Sequence, residues 1–275
     1  MEFNGVLCRE GWEDKVAEAL GAHLRALDWD EFAIAGISPG PMLTSLQSRS
    51  FPELHAEISL RPSFYVDLDR LRQSNIEYEK SLSPNTREQL RRSLRLYAES
   101  GELRIEVAPD LAIAEKFFAE MCSMHQSTWM ERGETGAFTP GRRLEFHRAL
   151  IQRAFPAGCI QMVRVSAGGE AIGNLYNFVR NGKVYFFQSG FHYKQDKRLK
   201  PGLVTHALAI RYCLQAGFRD YDFLAGNAQY KRSLAKDCRQ LAWVIFSRRR
   251  VKLVIIDKLR AVKHRLMKAV QEYRK

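Results

Sequence analysis

Apolar positions along the chain recur either every third or fourth residue or at every second one, and the switches between these periods mark its elements. The opening pattern predicts a strand over 3–8, a helix over 12–27, a strand over 32–36 and a short helix after Pro39. Extended segments near 54–60 and 64–67 follow. The run Ser83-Pro84-Asn85-Thr86-Arg87 then sets an N-cap serine before a proline at the first helical position. A basic helix runs from there to about Glu99, and Gly101 ends it.

The remaining pattern is a strand over 103–107, helices over 110–132 and about 140–154, and three strands over 160–165, 171–179 and 183–191. Ala167-Gly168-Gly169 and Asn181-Gly182 are hairpin turns, so these three strands form an antiparallel meander. A Lys- and Arg-rich loop over 194–200 leads to Pro201-Gly202 and a helix through Ala216, with strands following over 221–224 and 240–246. From Leu103 to Phe246 the order is β-α-α-β-β-β-α-β-α-β, an α/β (α+β) arrangement. Residues 3–36 and 184–226 share a strand, long helix, strand order, a weak internal repeat. Past Arg248, Val251, Val254, Ile255, Leu259, Val262, Leu266 and Val270 fall at helical spacing among basic residues, which predicts a basic amphipathic helix over 248–275.

Composition narrows the class. With 45% apolar residues in 275, the chain can bury a full core. Its longest apolar runs fall far short of the ~20 residues that span a bilayer, and its first residues lack the basic start and apolar stretch of a secretion signal. The expected location is therefore cytoplasmic. Cys8, Cys122, Cys159, Cys213 and Cys238 are scattered, with no ligand spacing, and read as reduced, mostly buried thiols with no metal. The net charge of +12 is concentrated: residues 247–275 hold eleven Lys or Arg against Asp257 and Glu272. The rest is only mildly basic, unlike a surface built throughout to wrap nucleic acid.

Four groups of residues could carry chemistry. The first is Phe191 to Gly202, a basic loop joining a strand to a helix. Unpaired amides at a helix start, with Gly202 allowing close approach, suit a pyrophosphate, and Arg198 and Lys200 add charge-assisted hydrogen bonds. An ordinary solvated loop is the competing reading. The second is Tyr221 to Lys231, a short strand, a glycine and a polar turn that could surround a reacting carbonyl with Asp222, Tyr230 and Lys231. Asp222 as a helix cap and Tyr230 as core are the alternatives. The third comprises His125, Trp129, Arg132 and His147, which could line an acceptor pocket, with a histidine accepting a proton from an attacking amine. The fourth is Arg87, Arg91, Arg92 and Arg95 along the basic helix, either a solvated face or a contact for an anionic cofactor tail, tRNA or lipid headgroup.

The element order from Leu103 to Phe246 resembles a GNAT acyltransferase lobe, in which acyl-CoA pyrophosphate sits where the fourth strand feeds the third helix. Here that place is Arg198-Leu199-Lys200-Pro201-Gly202. A closer similarity is to the CelD-like or BioF2-like acetyltransferases, relatives of the FemAB peptidoglycan transferases. It rests on His125, Trp129, Arg132-Gly133, Gly173-Asn174, Tyr185, Gln188-Ser189-Gly190-Phe191, Pro201-Gly202, Tyr221-Asp222-Phe223-Leu224 and Tyr230-Lys231, together with Ser83 to Arg87 and Arg91-Arg92.

The resemblance implies a partial N-terminal GNAT-like lobe over 1–80, a basic connecting helix over 81–101, a complete GNAT lobe over 102–247 and the amphipathic helix over 248–275. It implies acyl-CoA as co-substrate, held by Gln188, Ser189, Gly190, Phe191, Arg198, Lys200, Pro201 and Gly202, and a primary amine as acceptor near Trp129, Arg132 and His147. Lys231 would steady the carbonyl oxygen. Proton removal would fall to Asp222, His125 or water, and Tyr230 completes the catalytic set. The basic tail either packs on the domain, its apolar stripe buried and its charges solvated, or points to an anionic membrane surface, and hence to an amino lipid such as a sphingoid base, or an envelope-polysaccharide precursor, at the inner face of the membrane. The competing functions are a FemAB-type transferase using aminoacyl-tRNA and a non-enzymatic binding module of an envelope pathway.

Overall fold

The computed structural model describes residues 2–248, which fall into two compact units: residues 2–62 with 240–248, and Ser63–Arg239. In chain order the elements begin with α1 (Glu13–Arg25), β1 (Glu31–Ile37), α2 (Pro41–Ser45) and a π-helical turn at Leu46–Ser50. Next come β2 (His55–Asp67), α3 (Leu68–Gln73), α4 (Tyr78–Ser81), α5 (Pro84–Glu99), β3 (Leu103–Val107), α6 (Leu111–Glu131) and α7 (Arg142–Ala154). The last are β4 (Ile160–Ala167), β5 (Glu170–Arg180), β6 (Lys183–Phe191), α8 (Pro201–Gln215), β7 (Asp220–Ala225), α9 (Gln229–Leu234) and β8 (Asp237–Ser247).

In the first unit β1 pairs antiparallel with β8, and Ala17, Ile34, Leu46, Phe51, Val244 and Phe246 form a small core. The strand expected over 3–8 is absent. Phe3 turns to a φ of 58°, and the segment is held by the Asn4 side chain on Ala35 O (2.9 Å) and by Val6 against the core. Alternation alone does not make a strand; its backbone groups need a partner edge. The repeat read between 3–36 and 184–226 therefore lacks its first element.

The second unit carries strands in the order β2-β7-β6-β5-β4-β3, with β2 contributing Ser63–Asp67. All neighbours are antiparallel except β6 and β7. Alternation along the strands feeds two cores: Val163, Leu175 and Val184 face α5 and α8, whereas Met162 and Tyr176 face α6 and α7. Asn181 and Gly182, both at positive φ, make the tight β5–β6 turn that was expected. Ser83 caps α5 by accepting from Thr86 N, also as expected.

Three departures are informative. The two extended segments on either side of Pro62 are one strand of 13 residues, β2. The short helices α3, α4 and α9 give too few turns to show a helical period, and so α9 read as a polar turn. Of the five cysteines only Cys213 is buried; Cys8, Cys122 and Cys159 are half-buried and Cys238 is exposed. Among the described residues, no helix is long and apolar enough to cross a membrane. The amphipathic helix expected beyond Arg248 lies outside the described residues.

Candidate active site

The site begins where two parallel strands part. β6 and β7 are paired from Lys183↔Asp220 to Tyr185↔Asp222, and their register ends there. Past that point β6 follows β5 as far as Gly173↔Phe191, while β7 follows β2 to Ser63↔Ala225. A cleft therefore opens between residues 186–191 and 223–225, with α8 linking its two sides.

On the β6 side, Gln188 Oε1 accepts from Ser189 N (3.1 Å). Gly190 has no room for a side chain, since a Cβ would lie 2.3 Å from Met121 O; glycine is what lets α6 pack against this strand. The Phe191 ring lies against Gly202, where a Cβ would be 3.2 Å from it, so α8 starts directly beside the strand end. Pro201 occupies the first turn of α8, whose next amides have no intrahelical acceptor.

Lys200 N donates to Ser93 Oγ (2.8 Å), a buried hydroxyl on α5 that fixes the loop to the basic helix. Nothing in the local sequence marks Ser93, which is one polar residue on the inner face of a helix. Arg198 forks onto Asp196 (2.7 Å) and holds that carboxyl at about 2, with help from Arg92. The structure thus brings α5 to the loop that precedes α8, with Arg91, Arg92 and Arg95 exposed along the helix.

On the β7 side, Asp222 is fully buried, and its Oδ1 accepts from Ser63 Oγ (2.8 Å) and Leu224 N (2.7 Å). Burial raises its pKa, opposed by these two hydrogen bonds and by Arg239, whose Nε is 3.5 Å from Oδ2. Arg239 also pairs with Asp220 (3.0 Å) and stacks on Tyr65. Lys231 reaches in from α9, only 9% exposed, and donates to Leu224 O (3.1 Å) and Ala225 O (2.8 Å).

Tyr230 lies parallel to His206, with ring centroids 6.1 Å apart. Burial raises the Tyr230 phenol to about 12, although 43% of the residue is exposed. His206, on α8, escaped the sequence reading. It sits among Phe186, Phe191, Tyr221, Phe223 and Tyr230, its Nδ1 3.1 Å from Tyr221 OH. Burial, and then the charge of Lys231, lowers its pKa to about 3, so the imidazole is neutral.

The third group divides. His125 Nδ1 is 3.1 Å from Ser189 O and Nε2 accepts from Ala137 N (3.3 Å), so both nitrogens are engaged and the ring ties β6 to the loop after α6. That leaves no lone pair for an incoming amine. Trp129 stands against His125 (5.8 Å), with Arg132 over its face (5.5 Å). Burial raises the Tyr193 phenol, opposed by the charge of Arg132, which therefore lies near the loop that precedes α8. His147 is elsewhere: it is buried among Phe138, Tyr176 and Phe187 in the core under α6 and α7. A separate cleft of about 460 Å³ runs between α3, the start of α5 and α9, lined by Arg70, Ser83, Asn85, Gln229, Arg232 and Lys236 among others.

Comparison with known proteins bears on the family and the fold. The family described as the acetyltransferase (GNAT) domain matches residues 84–232, more than half of the chain. No curated protein matches in sequence. Among solved structures, the chain is similar to the C-terminal domain of a putative lysylphosphatidylglycerol synthetase from Agrobacterium fabrum, at 14% identity and a TM-score of 0.57, over 87% of this chain and 74% of that one. It is likewise similar to FemX, at 12% identity and a TM-score of 0.56, over 84% and 77% of the two chains. A conserved protein of unknown function from Bacteroides thetaiotaomicron aligns at 8% identity and a TM-score of 0.56, over 86% and 75%. At these identities the likeness is one of fold.

Proposed function

We propose that this chain, which belongs to the acetyltransferase (GNAT) domain family, transfers an acyl group from acyl-CoA to a primary amine in the cleft between β6 and β7. The observation that supports this reading is that the start of α8 and the buried ammonium of Lys231 both border the stretch where β6 and β7 are no longer paired. The amides at the start of α8, with Arg198 and Lys200, suit the pyrophosphate. Gln188 to Phe191 offer an open strand edge to the extended arm of the donor, and Lys231 lies across the opening.

In the reaction the amine nitrogen attacks the thioester carbon and the carbonyl oxygen takes up negative charge. Lys231 stabilises that charge by its field and by turning an N–H from a backbone carbonyl to the oxygen, help worth on the order of 3 kcal/mol in comparable sites. The oxygen electrons return, the C–S bond breaks, and the thiolate leaves. Tyr230, whose phenol stays protonated at neutral pH, supplies the proton that the thiolate takes and recovers one from water. The amine proton goes to water. Trp129 and Arg132 flank the acceptor's approach, whereas His125 serves as a strut.

Arg91, Arg92 and Arg95, exposed beside the donor loop, favour a second reading in which the donor is an aminoacyl-tRNA. Thermal-shift and turnover measurements against acyl-CoAs of graded length, with aminoacyl-tRNA in parallel, separate the two. Stabilisation and turnover with acyl-CoA support the first; turnover with aminoacyl-tRNA alone refutes it. The acceptor class we favour is an amino lipid or envelope-polysaccharide precursor met at an anionic membrane, on the strength of the charge in residues 247–275. Equal liposome co-sedimentation with and without residues 248–275 removes that argument.

A further inference from the structure

We infer that Asp222 is a positioning residue, which sets the place of Lys231 by locking the backbone at Leu224, and that it is not the base of the reaction. The inference rests on the reading of Lys231 given above. Its starting point is a strained residue: Leu224 is at a φ of 60°, a conformation that leucine seldom adopts, on the strand end that borders the cleft. Pairing with β2 shows why. Tyr65 faces Asp222 and Ser63 faces Ala225, so two residues of β7, Phe223 and Leu224, stand opposite Phe64 alone.

Such a bulge on a leucine persists only when other bonds hold it. Asp222 Oδ1 accepts the Leu224 N–H at 2.7 Å and is itself fixed by Ser63 Oγ at 2.8 Å. The carbonyls that the bulge turns inward, Leu224 O and Ala225 O, are the two that Lys231 Nζ engages at 3.1 and 2.8 Å. The chain of causes runs from carboxylate to amide to carbonyls to ammonium. Asp222 Oδ1 is occupied by two donors, and Oδ2 is buried facing Arg239. The charged or titratable groups around the carboxylate are Arg239, Asp220 and Tyr185. Neither oxygen is offered to an amine in the cleft.

The test uses Asp222→Asn and Asp222→Ala in the full chain. Asparagine keeps an oxygen for Leu224 N and Ser63 Oγ but cannot take a proton as a base. The expected result is a kcat within about threefold of wild type for Asp222→Asn, with its pH profile unmoved, and a loss of about thirtyfold or more for Asp222→Ala with donor KM unchanged. A second readout needs no turnover: labelling of Lys231 by an amine-reactive ester, followed by peptide mass spectrometry. It should be slow in wild type and Asp222→Asn and faster in Asp222→Ala.

If Asp222→Asn loses as much activity as Asp222→Ala, together with the acidic limb of the pH profile, Asp222 is the base and the inference is wrong. Identical labelling of Lys231 in all three proteins also overturns it. The predicted labelling pattern in a chain that transfers no acyl group keeps the positioning role and refutes the reaction instead.

Discussion

Replacing Lys231 by methionine removes the ammonium while keeping most of the side-chain volume, and its two consequences can be computed separately. The folded state loses two charge-assisted hydrogen bonds, to Leu224 O and Ala225 O. Both acceptors belong to half-buried residues at the edge of a cleft, where water replaces part of the loss, so destabilisation of about 1–3 kcal/mol is expected. The transition state loses the charge opposite the developing oxyanion, for which comparable removals lower kcat by on the order of 10²–10³. Donor binding depends on groups at the other end of the cleft and should change little. The assay is turnover at saturating acyl-CoA, corrected for the folded fraction from urea denaturation, with the donor Kd measured alongside. A folded Lys231→Met protein with kcat within about threefold of wild type, or with its loss confined to donor affinity, refutes the role assigned to this lysine.

The donor end has its own signature: Arg198→Ala should raise the donor KM several-fold with kcat little changed, and added salt should shrink the difference. Ser93→Ala removes the acceptor of the half-buried Lys200 amide, at a cost of about 1–2 kcal/mol, and should weaken donor binding without touching the cleft chemistry; isothermal titration with CoA reads it. Gly190→Ala pushes a methyl to 2.3 Å from Met121 O and should destabilise by about 1–3 kcal/mol in urea denaturation. His206 makes stability depend on pH. Its folded pKa of about 3 lies below the ordinary 6.5, so the unfolded chain binds a proton that the folded one refuses. Stability should fall as pH drops from about 6.5 towards 3, by up to about 1.4 kcal/mol per unit. His125 and His147 are lowered as well and act in the same direction, so His206→Phe should flatten the slope without abolishing it; an unchanged slope refutes the assignment.

The second unit was legible from the chain because its signals are local. The cap of α5 at Ser83, the Asn181-Gly182 turn and the Pro201 start of α8 are all signals within a few residues, and the nine elements placed from Leu103 onward occur in the expected order, with α9 added between the last two strands. The strand end, basic loop and helix start over 188–202 followed from the same punctuation. The segment 3–8 failed for the converse reason: whether alternating residues form a strand depends on a distant edge, which its own pattern does not report. His147 failed similarly, since nothing in its spacing tells a pocket from a core.

By itself the sequence determined where most strands and helices from Ser83 onward start and stop, that a basic loop precedes α8, and that a lysine follows β7. Only the tertiary structure decided that the pairing of β6 and β7 ends at Tyr185↔Asp222, that Ser93 ties α5 to the loop before α8, and that His206 stands neutral among aromatic rings. It also decided that Asp222 is spent on Leu224 rather than offered to solvent. Caps and turns are settled by neighbours along the chain. The state of a carboxylate, an imidazole or an ammonium is settled by burial and by partners that arrive from far away in sequence, as Ser63 does for Asp222 across 159 residues.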